Sequence, residues 1–428
     1  MSTIKLRIIK SKFIKNIAIV ASGTIAAQII NFGLTPVITR IYGPDAFGLL
    51  GTFMAVINIL GPIAALTFPI AIVLPKSHNK AKQIIKLALV VCLSFGIILS
   101  IMLLLAFDII VALFNLWPIA SFLFLIPLVV IFSGILQTIE QWLIRTKQFK
   151  VTAKTAVFHS IVVNISKIGA GLLYPFAMSL VLIQTFGIAF RGIMMFILAD
   201  RSLYFKKEKF KENNDLKNIA FDYRDFPLYR APQVFFNAIS QGLPTILLAS
   251  YFGPAAAGFY SLGRQALGTP VQILGKAVQD VFYPRVSEAL NTKENVSKII
   301  IKSVLGLTIL GIIPFGAVIA LGPIIFSFVF GGEWEVAGIY AQWIALMSLF
   351  MLITRPVIVS VPVLKIQRQF LLFEILGSIF KIGALVFGFY YFQSDIYAVA
   401  LFSLTSMCLY IALTVYTLWV AKSIDDDR

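Results

Sequence analysis

Five basic residues, Lys167, Arg191, Arg264, Arg355 and Lys381, lie within segments otherwise apolar enough to cross a bilayer. A cation facing hydrocarbon costs about 2.5–3.5 kcal/mol on insertion scales, so each must face a neighbouring helix or a wet cavity. Their chemistry is the holding of anions: a guanidinium grips phosphate or carboxylate through two parallel hydrogen bonds, and an ammonium acts as a point charge. No acid lies at helical spacing from Lys167, Arg191, Arg264 or Arg355, whereas Lys381 has Glu374 two turns earlier on the same face. Arg40 and Lys276 sit nearer helix ends, where long side chains reach the headgroups, and Asp280 is a ready partner for Lys276 at i+4. The set points to a transporter that handles something anionic.

Helical spacing places these cations on polar stripes. Ser160, Asn164, Lys167, Gly171 and Tyr174 share one helix face, as do Glu374, Ser378 and Lys381. Further stripes run through Thr24, Gln28, Asn31 and Thr35, through Asn237, Gln241 and Thr245, and through Ser261, Arg264, Gln265, Gly268, Gln272 and Gln279. Such faces serve either a hydrated cavity or helix–helix hydrogen bonds.

The elements that carry them are membrane helices. The chain is 59% hydrophobic and 13% charged, against about 25% charged in soluble domains, and its mean hydropathy is +0.92. Windows of about 20 apolar residues predict twelve spans at roughly 16–39, 46–73, 84–107, 119–142, 155–174, 176–199, 231–252, 256–282, 299–326, 338–363, 370–392 and 396–420. Only the Tyr174-Pro175 break separates the fifth from the sixth. Connections on one side hold Lys76, Lys80, Lys82, Arg145, Lys147, Lys150, Arg285, Lys298, Lys365 and Arg368; those on the other hold Asp45, Asp108, Glu333, Glu335 and Asp395. By the positive-inside rule both termini are cytoplasmic. The surplus of 36 Lys+Arg over 19 Asp+Glu thus reflects topology, and no nucleic-acid partner is expected.

Cys92 and Cys408 lie in apolar spans and His78 and His159 are far apart, so neither a disulfide framework, a metal site nor a cofactor is expected. No Walker A sequence occurs, the outer loops are short, and no Asp-x-Asp motif sits in a cytoplasmic loop. These features argue against an enzyme. Asp425, Asp426 and Asp427 read as a solvated tail.

The chain also repeats itself. Lys167-Ile-Gly-Ala170 recurs as Lys381-Ile-Gly-Ala384, and Tyr42-Gly-Pro-Asp-Ala-Phe-Gly48 as Phe252-Gly-Pro-Ala-Ala-Ala-Gly258. Lys147-Gln-Phe149 and Arg368-Gln-Phe370 precede the fifth and eleventh spans. An even number of spans per unit makes a parallel repeat, with substrate usually bound between the halves. The expected architecture is an all-α polytopic membrane protein in which two six-helix lobes, 1–199 and 231–428, flank a central cavity. A basic cytoplasmic connector, 200–230, joins them and reads as a solvated linker.

The segments Arg40-Ile-Tyr-Gly-Pro-Asp-Ala-Phe-Gly48, Gly253-Pro254 through Gly258-Phe-Tyr-Ser261, and Phe282-Tyr-Pro-Arg-Val-Ser287, together with the two Lys-Ile-Gly stretches, carry a resemblance. In order and spacing the chain resembles the Wzx-type polysaccharide-biosynthesis flippases of the multidrug/oligosaccharidyl-lipid/polysaccharide exporter superfamily. The resemblance implies a transporter of the inner (cytoplasmic) membrane that opens alternately to each side. Its cargo would be an undecaprenyl-pyrophosphate-linked oligosaccharide, with polysaccharide-assembly proteins as further partners. Lys167, Lys381, Arg191, Arg264, Arg355 and Arg40 would then meet the diphosphate, while Asn31, Asn164, Gln28, Gln241 and Gln272 suit sugar hydroxyls. Glu374 is the candidate for ion coupling. The rival readings are a multidrug or cation exporter of the same superfamily, which calls for more membrane carboxylates, a peptidoglycan-precursor flippase, whose family usually has fourteen spans against the twelve expected here, and a membrane polymerase or glycosyltransferase.

Overall fold

The computed structural model describes residues 2–113, 116–200, 216–292 and 294–426. All of its regular structure is helical. Two compact units, Met1–Pro254 and Ala255–Arg428, divide it.

The first unit contains α1 (Ser2–Ile41), α2 (Pro44–Leu60), the short α3 (Phe68–Ala71), α4 (His78–Leu113), α5 (Ile126–Arg145), α6 (Phe149–Leu173), α7 (Ala177–Leu198), α8 (Leu216–Asp222) and α9 (Ala231–Phe252). The second begins within α10 (Pro254–Asn291) and continues through α11 (Val296–Phe330), α12 (Glu335–Ile353), α13 (Arg355–Ser360), α14 (Gln367–Phe392) and α15 (Asp395–Asp426). Nine helical stretches among the described residues are long and apolar enough to cross a membrane, so this is a multi-pass membrane protein. The nine do not include α1, α9 or α10, the helices that carry the polar stripes of the first, seventh and eighth expected spans. The Tyr174-Pro175 break falls where expected, between α6 and α7.

By its contacts the first unit runs on to Pro254, because α9 packs on α2. There a methyl at Gly242 would come within 3.0 Å of Ile59 and 3.1 Å of the Ala55 carbonyl, so a larger residue would require the two helices to give by a few tenths of an ångström. Several expectations need correction. The second span is not continuous: the helix breaks after Leu60, passes through a 3-10 turn, and reaches left-handed backbone at Leu66 and Thr67. Irregular backbone survives at membrane depth only when protein satisfies it. Here Gln137 Nε2 donates to Gly61 O at 2.7 Å, and Arg145 donates to the carbonyls of Ile72, Lys76 and Ser77.

Residues 201–215 of the connector lie outside the described residues. Its remainder is ordered rather than a solvated linker. Ile219 of α8 is buried, Asp222 pairs with Lys80 of α4 at 3.6 Å, and Thr67 Oγ1 donates to Phe226 O at 3.1 Å. Nor is Asp425 a solvated tail, because its carboxylate accepts the amides of Val296 and Ser297 at 2.9 and 2.8 Å and so caps the start of α11. Asp427 lies outside the described residues.

The repeat has a backbone signature. Lys147 and Lys365 both adopt left-handed backbone, at φ 58° and 59°. Each closes a Schellman turn, with Gln148 N on Leu143 O and Lys147 N on Ile144 O matched by Ile366 N on Val361 O and Lys365 N on Pro362 O. The counterpart of Lys147 is therefore Lys365. Arg368-Gln-Phe370, chosen from the sequence, lies inside α14. Two kinked residues also correspond, Ala106 of α4 (φ −128°, ψ 26°) and Leu321 of α11 (φ −124°, ψ 17°).

Close helix contacts fall at glycines, as expected where lipid removes the hydrophobic drive between helices. A methyl on Gly322 of α11 would lie 2.5 Å from the Gly338 carbonyl of α12. Gly338→Ala should therefore force these helices apart at a cost of about 1–3 kcal/mol, the range for overpacking. Gly306→Ala, on α11 with nothing within 4 Å, should leave stability unchanged. Thermal unfolding of the two variants in detergent checks this, and equal midpoints would show that the Gly322–Gly338 contact yields freely.

Candidate functional site

Within the first unit, α1 and α6 are zipped together. At one end a methyl on Gly23 would lie 2.5 Å from Ala153 Cβ; at the other, one on Gly171 would meet Ile41 at 2.5 Å and the Tyr42 ring at 2.7 Å. Between these ends Asn31 Oδ1 accepts from Asn164 Nδ2 at 2.6 Å and lies 2.6 Å from Ser160 Oγ, itself 3.0 Å from Ala27 O. Asn31 and Asn164 thus spend their amides on a helix–helix contact, the alternative use of such a stripe, and Asn164 is only 5% exposed. Gln28 is half-buried on α1, and Arg40 is exposed in its last turn.

Lys167 lies one turn after Asn164, where its Nζ donates to Gln184 Oε1 of α7 at 2.8 Å. Buried Tyr42 fixes the backbone beneath it: the hydroxyl is 2.9 Å from Lys167 O and 3.0 Å from Ser179 Oγ. Arg191 departs from expectation. Its Nη2 donates to Glu140 Oε1 of α5 at 2.7 Å, and its Nε is buried without an acceptor. Sequence spacing could not reveal this acid, 51 residues away on a helix that the fold brings alongside. His159 lies within electrostatic reach of both Arg191 and Lys167.

In the second unit three cations from three helices lie within electrostatic range of Tyr410 of α15. Lys381 Nζ of α14 stands 5.3 Å from the Tyr410 ring centroid, a cation–π distance. Arg264 of α10, Arg355 at the start of α13, and Glu374 of α14 all act electrostatically on the same tyrosine. Arg264 is hydrogen-bonded to buried Tyr260 one turn earlier. The Arg355 side chain lies across Gly275: a methyl there would sit 2.8 Å from Nε, which is buried without an acceptor. Gln272 and Lys276 are exposed on α10, and the side chain of Asp280 lies outside the described residues. In the first unit Gln241 is exposed on α9, with Nε2 donating to Asn237 Oδ1 at 2.7 Å.

Each unit thus keeps cations among neutral amides and phenols, with one carboxylate apiece, Glu140 and Glu374, close by. Sequence reasoning missed Tyr410, Gln184, Gly275 and the role of Glu140. A signal existed only for Tyr410, which follows the Ser403 to Ser406 polar run on an apolar helix. Among the described residues no group of three or more His, Cys, Asp or Glu could hold a metal ion.

The sequence matches the family described as "Polysaccharide biosynthesis protein" over residues 37–339. The chain belongs to that family. A comparison with curated protein sequences finds no match. Among solved structures, this family member resembles "Lipid II flippase MurJ, inward closed conformation" with a TM-score of 0.70 at 14% identity, covering 94% of this chain and 87% of the other. An inward-facing multidrug resistance MATE family transporter of the MOP superfamily matches with a TM-score of 0.58 at 11% identity, covering 93% and 96%. The Vibrio cholerae MATE transporter VcmN matches with 0.54 at 12%, covering 98% and 97%. At these identities the likeness is one of fold. The proteins concerned are a flippase and transporters, not enzymes.

Gly275→Ala tests the placement of Arg355. It should displace the guanidinium and weaken binding of a soluble prenyl diphosphate by on the order of tenfold, the scale for loss of one charge-assisted contact. Gly268→Ala, on the same helix with nothing within 4 Å, should bind as the parent does. Calorimetric titration of both variants distinguishes displacement of Arg355 from a general effect of alanine in α10.

Proposed function

We propose that this protein flips an undecaprenyl-pyrophosphate-linked oligosaccharide across the cytoplasmic membrane by alternating access, in the biosynthesis of a cell-surface polysaccharide. One feature carries the reading: Lys381 stands over the Tyr410 ring, and Arg264 and Arg355 from two other helices lie within electrostatic range of the same tyrosine, with Glu374 the carboxylate that shares it. An anion entering such a cluster offsets the mutual repulsion of its cations, whereas an organic cation would add to it. That difference sets the reading apart from a cation exporter. Lys167, held by a neutral amide, supplies the same chemistry in the other unit.

Several features support a lipid-linked passenger. Family membership supports polysaccharide synthesis, and the printed name of one similar structure is that of a lipid II flippase. An apolar groove of about 790 Å³ between α1, α6 and α7, lined by Val157, Phe158, Ile161 and Ile197 with Lys150 and Lys154 among its walls, suits a hydrocarbon chain. In this reading α1, α9 and α10 join the nine apolar stretches to make twelve spans in two repeated six-helix lobes. Both termini are cytoplasmic, the cations of each lobe address a shared central cavity, and polysaccharide-assembly proteins are partners. Glu374, exposed on α14, is the proposed coupling residue.

A leaflet-accessibility assay of a lipid-linked glycan in vesicles tests the proposal. Lys167→Ala and Lys381→Ala should insert normally and each slow translocation at least tenfold, on the scale of one lost ionic hydrogen bond. Parental rates in the double variant would remove both lysines from the mechanism. Orientation is checked separately by thiol labelling. A cysteine at Asp45 should react from outside the cell and one at Lys147 only after permeabilisation; the reverse pattern would invert the topology.

A further inference from the structure

The Arg191–Glu140 pair differs from the other intramembrane cation contacts in having a carboxylate directly on the guanidinium, at 2.7 Å. Two features separate it from a sealed structural pair. Both side chains are 29% exposed, so a ligand can reach them. The fork is also incompletely used, because Nη2 meets Glu140 while Nε is buried without an acceptor. Lys167 and Arg191 act on the same neighbour, His159, yet one is held by a neutral amide and the other by an anion. Of these two cations, one already carries a rival anion as its acceptor.

Resting on the function proposed above, we infer that Glu140 is a tethered competitor for the Arg191 guanidinium. The passenger's phosphate displaces it on binding, and its return drives the phosphate off on release. Two unopposed cations in a low-dielectric site would hold a diphosphate tightly, since charge-assisted bonds are strong there. A carrier must also let go. A carboxylate on the neighbouring helix provides an anion at high effective concentration that never diffuses away. It also discriminates. A singly charged headgroup can engage Lys167 alone, whereas only a multiply charged one gains enough to dislodge Glu140 from Arg191. Selectivity then comes from an unfavourable exchange imposed on the wrong ligand.

The test uses the purified full-length protein, with farnesyl diphosphate as binding probe and the vesicle assay for translocation. Glu140→Gln should bind farnesyl diphosphate about tenfold tighter, on the scale of removing one close competing charge, yet flip the lipid-linked glycan more slowly. Structural damage would lower both. Glu140→Asp, one methylene shorter, should shift affinity the same way by a smaller factor, and it serves if the glutamine variant does not fold. Unchanged or weaker affinity in a variant that melts at the parental temperature would overturn the inference and leave the proposed function standing. A parent that binds farnesyl diphosphate no better than farnesol would overturn the proposed function, and this inference with it.

Discussion

A charge taken out of water must be met, and the identity of what meets it determines how this molecule is built. Lys167 is met by an amide, Arg191 by a carboxylate, Lys381 by an aromatic face, and Arg264 by a phenol. These partners are graded in strength. A neutral amide or a ring face compensates an ammonium only in part, leaving it receptive to a better anion, while a carboxylate satisfies a guanidinium far more fully. The helices these contacts join, α5, α6 and α7 in one unit and α14 and α15 in the other, are thereby fixed in rotation about their own axes as well as in position.

The same rule governs the backbone. Where α2 gives way to irregular chain, the exposed carbonyls are taken up by Gln137 and Arg145, and the residues of the break, Ala64, Ala65 and Thr67, are buried. Arg145 shows that a basic residue counted on the cytoplasmic side can have structural work: its three carbonyl contacts hold the chain between α3 and α4. At the two Schellman turns, left-handed backbone on a lysine costs about 1–2 kcal/mol that glycine would avoid. Both repeats nevertheless keep a cation there, on the side where the positive-inside rule places it.

Much of the fold was legible in the sequence because hydrophobic length and the placement of Lys and Arg act locally. The α6–α7 break, the helix starts at Pro44 and Pro254, and the recurrence of Lys167 as Lys381 could all be read in this way. What could not be read depended on contacts between distant segments. Glu140 became the partner of Arg191 only when α5 and α7 packed together, and Asn31 and Asn164 found one another across α1 and α6. The stripe containing the two asparagines was real, but helical periodicity reports a polar face without naming what it faces. The second span illustrates a further limit: its apolar window runs straight through Gly61-Pro62, where the helix breaks, and the side chains of α5 that satisfy the break lie outside residues 46–73.

The Asp425 contact bears on how the protein is handled. Because its carboxylate seats on the first free amides of α11, the last turn of α15 acts as a clasp between two helices rather than as a loose end. Proteolytic trimming ahead of this residue would leave the amides of Val296 and Ser297 without their acceptor, and Asn295 alone to cap the start of a 35-residue membrane helix. A bulky fusion placed directly behind it would crowd the same junction. A spacer of several flexible residues after position 428 is the arrangement that leaves the clasp shut.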